Sequence, residues 1–326
     1  MTARCPDDLL AMVPITLGFT PADSVVMLTF GATHPFHARV DLPAREEDVP
    51  DVVASLLDPA ERNGVLRVVL VLYSEDEEMA GGVWCGLRDG FDHAGIVVVE
   101  AIRADGRRWF PLLGGDRLAA GPGVPYDVSA HPFVAQAVLT GRVLLGDRDE
   151  LAGTLHPEPR RVAEVTAALE RRPLLWGRDD PPAVDVVLRE GEWTELLVEH
   201  LVARGRAPGV DDVARLLRGL VLPCVRDAAR QTISPDAADE HVAWWTDLLR
   251  RTPAGLEVPV AALLGWSAWQ AGHGALAWCA LDVALAVDPG DAPSTELATL
   301  LVGAVPPSVW AQRPRRDWRE GLRRVA

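Results

Sequence analysis

The stretch Val65 to Tyr73 (VLRVVLVLY) is an almost unbroken apolar run rich in β-branched residues. It has the length of a strand, and a strand with one wet face would alternate polar and apolar positions. The run therefore predicts a central strand buried on both faces, which needs a packed layer on each side.

The flanking segments supply those layers. Ser24 to Phe30 (SVVMLTF) is apolar, Gly31 to Pro35 is turn-like and Phe36 to Leu42 (FHARVDL) alternates, which predicts an antiparallel hairpin. Glu46 to Leu57 opens acidic and places Val49, Val52, Val53 and Leu56 at helical spacing. Ser74-Glu75-Asp76-Glu77 has the capping-box pattern, with acidic groups at the positive end of the helix dipole. That helix is expected to reach about His93, with Gly95 placed to stop it. Ile96 to Arg103 reads as a further strand, paired with Arg107 to Leu113 across Ala104-Asp105-Gly106. Gly114 to Pro125 reads as a loop and Pro132 to Thr140 as a short helix, with a second one after Gly146.

From Gly153 to Arg160 (GTLHPEPR) the composition shifts, and beyond it only helical spacing recurs. Trp193, Leu196, Leu197 and Leu201 share one helical face, as do Val213, Leu216, Leu217 and Leu220. Ser234-Pro235 is a helix start, followed by a stripe of Val242, Trp245 and Leu249. Ala261 to Pro289 carries Leu264-Gly265, Ala268, Gly272, Ala277, Ala284 and Asp288-Pro289, spacings like those of one tetratricopeptide unit. No second copy is evident, and a repeat array needs about three, so an ordinary helical hairpin is the plainer reading. The expected fold class is α+β: an N-terminal mixed α/β sheet domain over 1–155, then an all-α domain over 156–312 with a tetratricopeptide-like hairpin. Residues 313–326 form an arginine-rich tail, with six arginines between Arg313 and Arg324, expected to be solvated.

Composition excludes whole classes of chemistry. All 32 basic residues are arginine, since the sequence contains no lysine. A Walker A loop, a protein kinase, a pyridoxal Schiff base and a lysine nucleophile are therefore ruled out. The formal charge of −15 argues against general nucleic-acid binding and against anionic membranes. No apolar run approaches the ~20 residues of a spanning helix, and Met1 to Leu10 has no basic secretory n-region. A cytoplasmic protein is expected. Cys5, Cys85, Cys224 and Cys279 lie far apart, so they read as buried or semi-buried thiols and not as zinc ligands or disulfides. No metal and no cofactor is expected.

Tests of individual motifs are mostly negative. Gly265-Trp266-Ser267-Ala268-Trp269 begins like a nucleophile elbow but lacks the second glycine and lies in a predicted helix. His34 and His37 flank a proline in a turn, which suits exposed histidines better than a metal site. Gly121-Pro122-Gly123 lacks the third glycine of a dinucleotide loop, and Glu75 to Glu78 lacks the spaced oxygens of a calcium loop. No catalytic constellation appears, so the balance leans away from an enzyme. The most informative group is polar and sits at strand ends: Asp23 and Ser24, Arg39 and Asp41, Arg108 and Trp109. Arg39 and Asp41 are two apart and share a strand face. If these ends meet, they make a site suited to an anion; a structural salt bridge with caps is the alternative.

The string Pro14-Ile15-Thr16-Leu17-Gly18-Phe19-Thr20-Pro21-Ala22-Asp23-Ser24-Val25-Val26, with Arg39-Val40-Asp41-Leu42-Pro43 and Arg108-Trp109, resembles an actinobacterial domain of unknown function, the DUF4192 family. Gly141-Arg142, Arg148 to Leu151, Trp269 to Ala275 and Ala280 to Pro289 fit its middle and end. The resemblance spans roughly Asp7 to Trp310. It implies no activity, substrate or catalytic residue. Leu112 to Pro125 lacks the cysteines that follow the Arg-Trp strand in such proteins, so no redox or metal role tied to them carries over.

Two functions follow as expectations. The first is a non-enzymatic interaction or scaffold protein that binds a protein partner through its helical half, where many of the 11 tryptophans lie. The alternative is a small anionic ligand-binding domain, or an enzyme, using the strand-end residues of the N-terminal domain. The oligomeric state is left open.

Overall fold

A computed structural model describes residues 3–32, 36–114, 121–139, 144–172, 182–308 and 317–322. The chain divides into two compact units, residues 1–150 with 302–306, and residues 151–301 with 307–326.

The first unit contains α1 (Pro6–Leu17), β1 (Ser24–Phe30), β2 (His37–Asp41), α2 (Val49–Arg62), β3 (Arg67–Tyr73), α3 (Glu77–His93), β4 (Val97–Ala104), β5 (Arg108–Pro111), β6 (Val124–Pro125) and α4 (Pro132–Leu139). The strands form one sheet in the order β2-β1-β3-β4-β5-β6. β3 and β4 pair in parallel, with α3 as their crossover; the other described pairings are antiparallel.

β3 is the strand that the apolar run predicts, buried from Val68 to Tyr73. Val68, Leu70 and Leu72 pack among Val52 and Leu56 of α2 and Val83 and Leu87 of α3. Val69, Val71 and Tyr73 face the other way, toward Leu9, Leu10 and Val13 of α1. Burial on both sides is what removes the alternation, and each such side chain contributes about 1.5–3 kcal/mol. α2 and α3 approach closely because Gly86 and Gly90 face Val53; a Cβ at those glycines would lie 3.0 and 3.2 Å from it.

Three local features depart from the sequence reading. α1 was not foreseen. α3 starts two residues late: the Ser74 N–H still donates to the Ala104 carbonyl of the sheet at 2.9 Å, and Asp76 is the cap, accepting from the Met79 amide at 3.0 Å. The loop expected over Gly114 to Pro125 contributes β6; its residues 115–120 lie outside the described residues, as do His34 and Gly141-Arg142.

After α5 (Arg148–Gly153), which spans the division between units, come α6 (Pro159–Arg171), α7 (Val184–Val202), α8 (Val210–Gly219), α9 (Pro223–Gln231), α10 (Ala238–Leu249), α11 (Glu257–Gln270), α12 (Gly274–Val287), α13 (Ala292–Val302) and α14 (Trp318–Leu322). α11 and α12 form the expected hairpin, joined through Gly272 at φ 80°. Gly265 is where α11 meets α13: a Cβ there would lie 3.1 Å from Leu297. Ser267 sits inside α11 and donates to the Leu263 carbonyl at 2.8 Å, as a helical serine does.

α7 buries a different face from the one its apolar stripe predicts. Val187, Glu190, Gly191, Thr194, Val198 and Val202 are inside, while Leu196 is 67% exposed. Glu190 faces inward because Arg215 of α8 pairs with both its oxygens, at 2.9 and 3.0 Å. Gly191 faces inward because the Trp318 ring lies against it. Trp318 is buried and donates to Glu195 at 3.4 Å, so α14 is anchored through Trp318 and is not solvated tail. The rest of the arginine-rich tail, 313–316 and 323–326, lies outside the described residues.

No helix among the described residues is long and apolar enough to cross a membrane. The four cysteines are free thiols; contrary to expectation, Cys5 and Cys85 are exposed.

Candidate functional site

Strand register assembles the strand-end residues. Asp41 of β2 lies opposite Ser24 of β1, Ser24 opposite Tyr73 of β3, Tyr73 opposite Ala104 of β4, Ala104 opposite Trp109 of β5 and Trp109 opposite Val124 of β6. Paired residues point to the same side of a sheet, so this row faces the α1 side. Arg39, two residues before Asp41 in β2, joins the same face.

The row is short of hydrogen-bond partners. Ser24 Oγ, Arg39 Nε, Tyr73 Oη and Trp109 Nε1 are all buried, and none of them has a partner among the described residues. Native proteins leave few such groups, and each one calls for an occupant or a cause. All four can donate, and Arg39 Nε and Trp109 Nε1 can only donate. Burial, with the Tyr126 phenol nearby, pushes the Tyr73 hydroxyl far above its usual range, so it stays protonated. The row offers donors to an acceptor.

The segment between α1 and β1 closes this end of the sheet. α1 ends on Gly18 at φ 85°, whose amide donates to the Pro14 carbonyl at 2.8 Å. Phe19 is buried and bridges to Leu145, and the Arg39 guanidinium lies 5.6 Å from its ring centre. Arg39 is held further by Asp41 at 2.7 Å and by the Ala22 carbonyl at 3.4 Å. The Asp41 side chain is largely exposed, so it orients Arg39 without sealing it off.

Not every predicted residue joins. Asp23 is exposed at φ 38°, and its backbone carbonyl accepts from Leu42 at 2.8 Å. Arg108 points to the opposite face from Trp109, since neighbours alternate in a strand. It donates to the Pro122 and Gly123 carbonyls at 2.7 and 3.0 Å and so fixes the return to β6. Tyr73 and Phe19 were not singled out from the sequence. Tyr73 was hidden as the last residue of an apolar run, although a hydroxyl at the end of a fully buried strand is the available signal.

A second polar cluster lies where α1 meets α4. His131 Nε2 is 3.1 Å from Asp8 Oδ1, and the Phe133 amide donates to His131 Nδ1 at 3.2 Å. That second bond places the ring proton on Nε2, which donates to Asp8. The Arg4 amide donates to Asp8 Oδ2 at 2.7 Å, and this bond, with Cys5 and His131, holds the Asp8 carboxyl below its usual range against the effect of burial. Both nitrogens of His131 are engaged, so it has no lone pair for the Cys5 thiol. The cluster locks the start of α1.

Among the described residues Ser24 Oγ has no hydrogen-bond partner that could take its proton, as an activated serine nucleophile would. Among the described residues no group of three His, Cys, Asp or Glu is placed to hold a metal ion.

A family model described as a domain of unknown function, DUF4192, matches residues 6–308. No curated protein matches the chain, and no solved structure does.

Proposed function

The chain belongs to the DUF4192 family, and from that premise we propose that its sheet unit is a binding domain for a small, oxygen-rich anion seated at the sheet end. The observation that carries this reading is the row of four buried, unpartnered donors: Ser24, Arg39, Tyr73 and Trp109. Neighbouring strands lie about 4.8 Å apart, so a carboxylate or phosphate would use its lone pairs on the adjacent Ser24 and Tyr73 while Arg39 supplies the positive charge; Trp109, two strands beyond Tyr73, extends the row. The overall charge of −15 would repel such a ligand at long range, which makes a fixed local cation necessary.

A protein partner docking through the helical half is the second reading. Its support is the open surface lined by Trp193, Leu196, Leu197 and His200 of α7. The tryptophans themselves support it less than their number suggests. Trp84, Trp244, Trp245, Trp266, Trp269 and Trp318 are buried and serve the cores.

Native mass spectrometry of the full chain purified from its host separates the two. The ligand reading predicts a small-molecule adduct, released on denaturation and missing from a Ser24→Val, Tyr73→Phe variant. A stoichiometric protein partner without such an adduct would favour the second reading and count against the first.

A further inference from the structure

We propose that the cleft between α3 and the β4–β5 hairpin is a separate binding site for a small aromatic monoanion, such as an aryl carboxylate. It lies on the face of the sheet opposite the row of Ser24 and Tyr73 and shares no residue with it. The cleft encloses about 300 Å³ and is lined by Glu77, Gly81 and Trp84 of α3, Arg103 of β4 and Phe110 of β5, among others. That volume is at the lower end of small-ligand sites. It also sits beside the carboxyl end of the parallel β3–β4 pair, where open α/β sheets bind their ligands.

Arg103 decides the ligand's charge. The residue is 6% exposed, yet its guanidinium reaches the cleft. It is fixed by three contacts: the Ser74 carbonyl at 3.3 Å, Glu77 at 3.7 Å and the Phe110 ring, whose centre is 4.1 Å away. Phe110 is backed in turn by Gly123, where a Cβ would lie 2.6 Å from the ring. A cation held this rigidly is prepared for bidentate contact with a carboxylate. Its ion-pair partner Glu77 is 72% exposed and at the long end of ion-pair distance, and Asp105 also feels the Arg103 charge, so an incoming anion can displace Glu77. Trp84 and Phe110 supply aromatic walls; the more exposed Arg88 and Glu77 also line the cleft and offset one another, so the buried Arg103 matches a single negative charge.

Gly81 shapes one wall of the cleft. Glycine inside a helix is destabilising relative to alanine, and Gly86 and Gly90 in the same helix are explained by Val53. Gly81 and the exposed Gly82 are not, because a Cβ at either would meet nothing within 4 Å; of the two, Gly81 is the one that lines the cleft. It borders the cleft and leaves it open.

The test is isothermal titration of the full chain with 1-naphthoate, 1-naphthamide and 1-naphthylmethylamine. Saturable binding of naphthoate is expected, at least ten-fold weaker binding of the neutral amide, and none of the amine. Arg103→Gln should weaken naphthoate at least ten-fold. Because Arg103 also holds Ser74, Gly81→Leu is the cleaner variant: it fills the cleft from a helix position that favours leucine. It should abolish naphthoate binding with an unchanged or higher Tm, while Tyr73→Phe leaves naphthoate binding unchanged. Absence of saturable naphthoate binding, equal affinity for acid and amide, or wild-type affinity in Gly81→Leu would overturn the proposal.

Discussion

Arg215→Ala is expected to destabilise the helical unit by about 3–5 kcal/mol, the range for leaving a buried carboxylate without its partner. The Glu190 side chain is 7% exposed and both its oxygens are held by Arg215. The same guanidinium lies 4.0 Å from the Trp193 ring centre, so the substitution also removes packing. Replacing both partners by leucine should recover most of the loss, because a well-packed apolar pair is often as stable as a buried ion pair. Urea unfolding followed by circular dichroism measures both variants. A loss under about 1 kcal/mol for Arg215→Ala would mean that water reaches Glu190 and that the inward face of α7 is misassigned.

Trp318→Ala is expected to cost about 3–5 kcal/mol, as for other buried tryptophans. The ring fills the space that Gly191 leaves on α7, and a methyl group at residue 191 would overlap it. Gly191→Ala should therefore also be destabilising, even though alanine is the better helix former. In the Trp318→Ala background the overlap is gone, so adding Gly191→Ala should be neutral or stabilising. That sign reversal is a coupling between residues in contact. Additive losses in the double variant would show that Trp318 does not sit on Gly191.

The same contacts explain what the sequence conceals in the helical half. Apolar spacing selected Trp193, Leu196, Leu197 and Leu201 as the inner stripe of α7, but the inner face is built around a glycine and an ion pair. Neither has an apolar signature. In the sheet unit the central strand was legible because burial on both faces leaves the continuous run Val65 to Tyr73. α1 was not, because it is buried almost all round and carries Pro14 inside, so it shows neither an amphipathic period nor an uninterrupted helical composition. The candidate site was half legible. Ser24, Arg39, Asp41 and Trp109 share a face of the sheet through register. Arg108 is lost because adjacent strand residues face opposite sides, and Tyr73 was masked by its own run. The absence of lysine still excludes the lysine-dependent chemistries, but it makes arginine as such uninformative. Arg39 and Arg103 matter because of their fixed positions beside buried donors and aromatic rings.

The central claim is that the hydroxyls at the sheet end are kept for a ligand and serve no internal contact. The stability of Tyr73→Phe, measured by urea unfolding of the ligand-free protein, tests this most directly. A buried hydroxyl without a partner carries its desolvation cost, so removing it while keeping the ring should leave stability unchanged or raise it by up to about 1 kcal/mol. A loss of about 1 kcal/mol or more, as on deleting a satisfied hydrogen bond, would show that Tyr73 already has its partner and would contradict the claim.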